Sequence, residues 1–233
     1  GIESSSLVAS VAIVEDETTM AEYTVNFKKT HSQTLLPMID EMVKLLEIDL
    51  STVDAIAVSG GPGSFTGLRI GSATAKGLGL ALHKPLIHVP TLDATAYNLY
   101  GTEALICPIM DARRNQVYAA FYMWENDKLI RLTDHMAESI ERVIEIAEML
   151  EQEVIFLGDG VPVHRERLEQ NPAFLFAPAH CNMQRASAVA ALGAIMAEEG
   201  LAKPGNAFEL IYLRKSQAER EREARLAKEE AGE

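Results

Sequence analysis

The sequence is poor in cysteine, in long apolar runs and in positive charge, and each shortage excludes a class of protein. Its two cysteines, Cys107 and Cys181, lie far apart and outside any CxxC pattern, which argues against a disulfide framework and a cysteine metal site. The sequence contains no run of about 18 apolar residues, and it does not begin with a basic stretch followed by an apolar core. It therefore predicts neither a membrane span nor a signal peptide, and the expected location is the cytoplasm.

Negative charge, in contrast, is abundant. The formal net charge is −13 at pH 7, and so acidic a surface repels phosphate backbones. If the function involves RNA, we expect another subunit to hold it. Much of the charge lies in residues 214–233, where acidic and basic residues alternate with few apolar ones, and we interpret this tail as a solvated helix.

The order of predicted elements repeats about halfway along the chain. Residues 1–100 predict two strands joined by an acidic turn, then a helix, a strand, a helix, a strand and a helix. The pattern restarts near residue 101 with three strands, the third near residues 128–133, followed by helices and a strand. The repeat predicts an α/β protein with mixed sheets and two lobes, residues 1–100 and 101–213. This organisation matches the duplicated ribonuclease-H-like fold of actin, sugar kinases and Hsp70 chaperones.

The first predicted helix, in "THSQTLLPMIDEMVKLLEI", has more apolar surface than one sheet requires. Its apolar residues cover roughly half of the helix circumference. Thr30 and Gln33 form a capping-box pattern, and Pro37 predicts either a later start or a kink. The surplus apolar arc fits a second helix of the same chain or a helix of another protein.

A glycine-rich segment, "SGGPGSFTGLRIGSATAKGLGLALH", fails the tests for phosphate and acyl chemistry. No glycine has the spacing of a Walker A loop, whose lysine must reach the outer phosphates. The dinucleotide fingerprint fails because Thr66 stands where glycine is needed, and Ser64 lacks the flanking glycines of a nucleophile elbow. The histidines form no metal-binding pair. Glu3 and Asp111, each in the turn after the first strand of a lobe, could hold Mg²⁺ between the lobes, but two carboxylates without glycine-rich phosphate turns give little support for such a site.

Small residues recur every four positions in this segment, at Gly63, Gly67, Gly71, Ala75 and Gly79. Such a row follows one ridge of a helix and permits close backbone packing. Two alternatives are open: the row packs against this chain's own sheet or first helix, or part of it packs against a partner's helix. The glycines before it predict a tight turn, with Ser64 or Thr66 as the helix N-cap.

Several segments together resemble one known family. "AIAVSGGPGSFTGLRIGSATAKGLGLAL" is preceded by "HSQTLLPMIDE" and followed by "PLIHVPTLDATA", "PIMDARRNQVYAAFY" and "IYLRKSQAE". From Gly1 to about Glu219, the sequence is similar to the bacterial TsaB (YeaZ) family of threonylcarbamoyladenosine biosynthesis proteins. Glu3 is a departure, because relatives usually carry Asp in this turn, and its longer side chain argues further against a Mg-nucleotide site.

The resemblance implies an actin-like duplicated fold without a working ATPase, without a cofactor, and acting as the partner of the catalytic subunit TsaD. With TsaD and the ATPase TsaE, the family is needed to transfer a threonylcarbamoyl group from threonylcarbamoyl-AMP to N6 of an adenosine in tRNAs that read codons beginning with A. This chain would meet tRNA only indirectly.

Family members pair with TsaD, or with themselves, through two helices of the N-terminal lobe. By motif position these helices cover residues 34–46 and 66–82. The interface residues so predicted are Leu35, Ile39, Met42, Leu46, Thr66, Gly67, Arg69, Ile70, Gly71, Thr74, Ala75 and Leu78. The predicted structural turn consists of Gly60, Gly61, Pro62 and Gly63.

Two rival functions belong to other classes. A degenerate actin-like small-molecule kinase or ATPase needs an adenosine-binding glycine pair late in the second lobe, and the sequence offers only Gly158 and Gly160 around an acid. A peptidase needs a metal constellation or a catalytic triad, and the sequence shows neither.

Overall fold

The computed structural model describes residues 1–27 and 30–214, which form two α/β lobes. The predicted charged tail, from residue 215 onward, lies outside the described residues. Within the described ranges, no helix is long and apolar enough to cross a membrane.

The first lobe is built on a five-stranded sheet with the strand order β3-β2-β1-β4-β5. Strands β1 to β3 are antiparallel, and β4 and β5 run parallel to β1. The strands are β1 (Ile2–Glu3), β2 (Ala9–Glu15), β3 (Thr18–Val25), β4 (Ile56–Ser59) and β5 (Leu86–Val89). The helices in this part of the chain are α1 (His31–Leu46), α2 (Phe65–Leu82) and α3 (Thr91–Tyr97).

The second lobe repeats this topology. Its sheet has the order β10-β7-β6-β11-β12, which places corresponding strands in corresponding positions, and a hairpin of β8 and β9 pairs with β6. The strands are β6 (Leu105–Asp111), β7 (Gln116–Ala119), β8 (Tyr122–Glu125), β9 (Lys128–Arg131), β10 (Met136–Ser139), β11 (Val154–Leu157) and β12 (Phe174–Phe176). The helices are α4 (Ile140–Met149), α5 (Val161–Leu168), α6 (Ala179–Asn182) and α7 (Ala186–Glu198). The predicted duplicated fold with mixed sheets is thus confirmed.

One predicted strand has a different role. The strand expected near residues 128–133 exists as β9, but it pairs only with β8, whereas β10 occupies the third position of the sheet beside β7. The hairpin is an insertion between the second and third strands of the repeat. Alternation in the sequence could not show which of these two strands joins the main sheet, because β9 and β10 are both short and follow each other closely along the chain.

Side-chain alternation along the strands divides the core into layers. Ile56 and Val58 of β4 face the core beneath α1 and α2, whereas Ala57 between them faces the core that contains Val189 of α7. In β6, likewise, Ile106 faces a core shared with Leu92 of α3. Because successive side chains of a strand point to opposite faces, both sheets are covered on both sides. Helices α1 and α2 form the outer layer of the first lobe.

Helix α7 corrects the predicted boundary between the lobes. The sequence placed this helix in the second lobe, predicted as residues 101–213, but the helix packs against the first sheet, on the side opposite α1 and α2. Its small residues permit this approach, since a Cβ added at Gly193 would lie 2.5 Å from Cβ of Ala57. Its first turn is held by Glu22 of β3, which accepts hydrogen bonds from the Ser187 amide and from Arg185. The first lobe therefore includes a helix from the second half of the chain.

A polar cluster joins α3 to the second lobe. Tyr122 of β8 donates a hydrogen bond to Asp93 of α3 over 2.7 Å, and His135 Nε2 lies 2.7 Å from the same carboxylate oxygen. Tyr122 is almost fully buried, so these bonds replace its lost contacts with water. They fix α3 against the β8–β9 hairpin.

Candidate partner interface

Helices α1 and α2 are the helices that the sequence predicted to bind a partner. The sides of both helices that face the sheet pack in the core of the first lobe. Leu35, Met38 and Met42 of α1 are buried in the core of the first lobe. Helix α1 begins at His31, although the Thr30 side chain makes no capping hydrogen bond, and Pro37 lies inside the helix. The helix thus begins directly after Thr30 and contains Pro37 on its exposed side, and the kink at Pro37, the other predicted alternative, stays a prediction.

The glycine row of α2 packs against the first turn of the chain, residues Ser4 to Ser6. A Cβ at Gly67 would overlap the carbonyl oxygen of Ser4, and one at Gly71 would overlap the Ser4 hydroxyl. The Ser4 hydroxyl donates a hydrogen bond of 2.9 Å to the Gly67 carbonyl. Of the two alternatives left open by the sequence, the structure places the inner row, Gly67, Gly71 and Ala75, against the chain itself.

The turn between β4 and α2 uses its backbone amides inside the molecule. The Gly60 amide donates to the carbonyl of Val89, and the Ser64 amide donates to the carbonyl of Ser5 over 2.6 Å. The Gly61 amide, at a φ of 109° that favours glycine, donates to the Thr91 hydroxyl. A phosphate-binding loop needs such amides free to face the ligand. These three amides are already bonded, and Ser64 is the side-chain N-cap of α2.

The outer side of α2 is exposed and includes small residues, Ala73 and Gly77, between larger ones. We define the outer face of α2 as Thr66, Arg69, Ala73, Gly77 and Leu80; Lys76, which lies over the Phe208 ring, and Ala81 are exposed as well. Leu80 is 78% exposed, and a Cβ at Gly77 would meet no atom within 4 Å. Small residues on an exposed helix face let a second helix approach closely.

The predicted interface residues divide into three groups by their position. The exposed members are Thr66 and Arg69. The half-buried members are Ile39, Leu46, Ile70, Thr74 and Leu78. The members buried in this chain's own core are Leu35, Met42, Gly67, Gly71 and Ala75. The last group cannot reach a partner without opening the core, so the predicted surface narrows to the first two groups.

Sequence reasoning missed the exposed apolar residues on these helices. Leu36 and Leu45 of α1 are 54% and 68% exposed, and on α2 the missed residues are Ala73, Gly77 and Leu80. An apolar arc covering half of a helix shows that some of it is surplus, but it does not show which part faces the sheet. Gly77 was the one signal in the sequence for the exposed side of α2, because it is a glycine of this helix that falls outside the row recurring every four residues.

An aromatic cluster with one cation lies at the start of α2. The Arg69 guanidinium lies 3.8 Å from the centre of the Phe65 ring, and that ring packs on Tyr212 with a centroid distance of 4.9 Å. Arginine stacked on an aromatic ring is a frequent component of energetically dominant interface sites. The cluster continues the outer face of α2 toward the C-terminal segment.

A buried acidic cluster lies behind the first turn. Burial raises the pKa of Glu3 to about 7, although hydrogen bonds from Ser5 to its charged form act in the opposite direction. One carboxylate oxygen of Glu3 accepts from the Ser5 amide and hydroxyl, while the other is buried and has no hydrogen-bond partner among the described residues. Asp159 lies near it, with a pKa that burial raises to about 6, and is held by Gln184. Among the described residues, no group of three or more His, Cys, Asp or Glu is arranged to hold a metal ion.

Comparisons with known proteins give a consistent family. Residues 19–221 match the family model described as TsaD: tRNA N6-adenosine threonylcarbamoyltransferase. The chain is 32% identical over 168 residues to the tRNA threonylcarbamoyladenosine biosynthesis protein TsaB of Bacillus subtilis, covering 72% of this chain and 73% of the relative. It is 36% identical to the protein of the same name from Escherichia coli, over 52% of this chain and 53% of that one.

Solved structures agree with this assignment. The structure described as YeaZ from Pseudomonas aeruginosa matches with a TM-score of 0.78 and 25% identity, covering 91% of this chain and 97% of that chain. A second structure, described as an uncharacterized protein from the same organism with similarity to peptidase YEAZ, matches with a TM-score of 0.79 and 27% identity over the same shares. The chain belongs to the TsaB (YeaZ) family.

Proposed function

We propose that this chain is a non-catalytic subunit required for the threonylcarbamoyladenosine modification of tRNAs that read codons beginning with A. It acts by binding and activating the catalytic subunit TsaD, together with the ATPase TsaE. The observation that carries the proposal is the outer face of α2, which is exposed and includes the small residues Ala73 and Gly77, while the neighbouring helix α1 exposes Leu36 and Leu45. A surface of this kind suits helix-to-helix packing with a related subunit.

The amide hydrogen bonds of two glycine-containing turns, residues 60–64 and 158–160, support a role without nucleotide chemistry. The amides of Gly60, Gly61 and Ser64 are bonded inside the first lobe. In the second lobe, the Gly158 amide donates to Asn182 and the Gly160 amide to Ile109. These are the turns that a degenerate kinase or ATPase would use for phosphate or adenosine. Millimolar ATP is accordingly expected to leave the amide chemical shifts of residues 60–64 and 158–160 unchanged, because a nucleotide held at these turns would displace their internal hydrogen bonds.

The direct test is size-exclusion chromatography with light scattering, on this chain alone and mixed with purified TsaD. A mixed species supports the proposal. Absence of any mixed species at micromolar concentrations contradicts it, as would tRNA modification by the purified chain alone. A dimer of the isolated chain that disappears when TsaD is added places both contacts on the same surface.

Two substitutions on the outer face of α2 are expected to weaken TsaD binding. Leu80→Asp places a charge in the contact, and Gly77→Leu fills the space into which a partner helix would pack. Each is expected to reduce affinity at least about tenfold, the size typical of a residue central to an interface. Gly77→Leu is also expected to stabilise the isolated chain slightly, because leucine favours a helix over glycine by under about 1 kcal/mol. Binding and thermal unfolding measured on the same samples separate the two effects.

The matched control is Met149→Asp. Met149 ends α4 in the second lobe and is 76% exposed, almost the same as the 78% of Leu80. Like Leu80→Asp, this substitution replaces an exposed apolar side chain near a helix end with a carboxylate, but it leaves the outer face of α2 unchanged. Equal losses of affinity in Met149→Asp and Leu80→Asp would contradict the proposed surface.

A further inference from the structure

The two halves of the fold differ at one corresponding place. In the first lobe, the turn after β1 is packed directly on α2, where Ser4 lies against Gly67 and Gly71. In the second lobe, the turn after β6, residues 112–115, and helix α5 leave an open cavity of about 370 Å³ between them. Helix α5 has His164 and Arg167, in place of small residues, on the side that lines this cavity.

Arginines from two elements surround the cavity. The lining includes Arg113 and Arg114 from the turn and Arg167 from α5, against the carboxylates of Asp111 and Glu166. Asp111 pairs with Arg113, and Glu141, outside the lining, pairs with Arg167. A further guanidinium, that of Arg214, lies beside the turn and donates to the carbonyl of Ala112 over 2.7 Å. Four arginines therefore stand against three carboxylates here, in a chain whose formal net charge is −13.

Several donors at the cavity are not used by the protein. Arg114 makes no hydrogen bond or ion pair with any other residue in the described ranges. His164 is only 5% exposed, and its Nε2 atom has no hydrogen-bond partner among the described residues. Arg167 binds Asn115 and Glu141 through Nη1 alone. A buried polar atom without a partner is rare in folded proteins, and a bound ligand is one of its ordinary explanations.

The backbone holds the arginine turn in an unusual conformation. Arg113, Arg114 and Asn115 have φ angles of 64°, 57° and 59°, which lie in the left-handed region that residues other than glycine seldom adopt. Asn115 is tied to Glu141 by its side chain, and the Arg113 amide donates to Asp111. The same conformation occurs in other tight turns of the described ranges, such as Asn126 and Asp127. Here the turn places two consecutive arginines at the rim of the cavity.

We propose that this cavity binds a phosphate group. Guanidinium groups match phosphate oxygens in geometry and charge, and donors that approach from a turn and from a helix suit a tetrahedral anion better than a planar carboxylate. The volume is within the range of small-ligand sites. The phosphate belongs either to a small soluble ester or to the backbone of RNA, since both present the same oxygens. This inference does not depend on the proposed function, because it concerns the isolated chain.

The test uses the ¹⁵N-labelled full chain, titrated separately with inorganic pyrophosphate and with an unmodified tRNA transcript. Binding is followed by amide chemical shifts and by calorimetry at constant low salt. We expect shift changes confined to residues 111–116 and 161–167. Arg114→Gln and His164→Gln are each expected to weaken binding at least about tenfold, because charge-assisted hydrogen bonds contribute about 1.5–3 kcal/mol.

The control is Arg165→Gln, on the same helix and with the same change of charge. Arg165 binds Glu169 and covers the Phe176 ring, and it does not line the cavity. Saturable binding of pyrophosphate supports a small-ester site, and binding of tRNA alone supports a backbone contact. No binding of either probe overturns the proposal, and so does an equal loss of binding in Arg165→Gln and Arg114→Gln. Circular dichroism and thermal unfolding confirm that each variant is folded.

Discussion

Replacing Gly67 with alanine is expected to destabilise the isolated chain by roughly 2–3 kcal/mol. The added Cβ would overlap the carbonyl oxygen of Ser4, which is backbone and cannot turn away. Overpacking of this kind costs about 1–3 kcal/mol, and the hydrogen bond from the Ser4 hydroxyl to the Gly67 carbonyl would be strained as well. The better helix propensity of alanine, worth about 1 kcal/mol, offsets only part of the cost. Urea unfolding at constant pH measures the difference.

The matched control is Gly77→Ala, ten positions further along the same helix. An added Cβ at Gly77 meets no atom within 4 Å. Only the propensity effect then remains, and we expect this variant to be more stable than the parent by about 0.5–1 kcal/mol. If both variants were stabilised equally, the inner row would not be packed against the first turn, and the description of α2 given above would be wrong.

Replacing Glu3 with glutamine is expected to stabilise the protein at pH 8 by up to about 3 kcal/mol. Burial raises the pKa of Glu3 from 4.5 to about 7, so folding takes up a proton in this range. The contribution of Glu3 to the free energy of unfolding is therefore most favourable below about pH 4.5, and it becomes less favourable as the pH rises toward 7. A shift of one pKa unit corresponds to about 1.4 kcal/mol. The neutral amide removes the cost of burying a charge while keeping an acceptor for Ser5.

The pH profile distinguishes this explanation from a general change in packing. Near pH 5 the parent and the Glu3→Gln variant should have similar stability, with the gap opening between pH 5 and 8. Glu22→Gln should behave in the opposite way. Although burial acts to raise the pKa of Glu22, hydrogen bonds from Arg185 and Ser187 lower it overall, so its charged form stabilises the fold. This second variant should be less stable than the parent at pH 8 and approach it in acid, as thermal unfolding across pH can show.

A gap between Glu3→Gln and the parent that stayed constant from pH 5 to 8 would contradict the raised pKa. Asp159 remains in both proteins, but its charge helps to raise the pKa of Glu3. The gap therefore reports on the burial of Glu3 together with its repulsion by Asp159.

The sequence predicted the two-lobed architecture because the repeat is visible in the order of the predicted strands and helices. Strand and helix patterns recur from residue 101, and the two sheets have the same strand order. It also predicted that the glycine segment serves close packing, because glycine recurs every four residues without the lysine or the spacing that phosphate chemistry requires. Where an element was inserted, as with the β8–β9 hairpin, periodicity could not tell which short strand joins the sheet.

The sequence assigned the proposed interface to two helices, but it could not show which of their side chains are exposed. Periodicity measures how wide an apolar arc is, but its direction depends on which neighbour is in contact. Leu35 and Gly67 lie inward because the sheet and the Ser4 turn are there, and Leu80 lies outward because none of the described residues covers it. The predicted residues therefore included both the inner and the outer sides of the two helices.

The family, the duplicated α/β fold and the use of the glycine row for close packing were determined by the sequence alone, since each depends on residue types and spacing along the chain. Tertiary structure decided the rest: what the glycine row packs against, which side of α2 is exposed among the described residues, that α7 packs on the first lobe, that Glu3 is buried, and that arginines gather around a cavity beside α5. These features depend on contacts between segments far apart in sequence, and local pattern carries no information about distant neighbours.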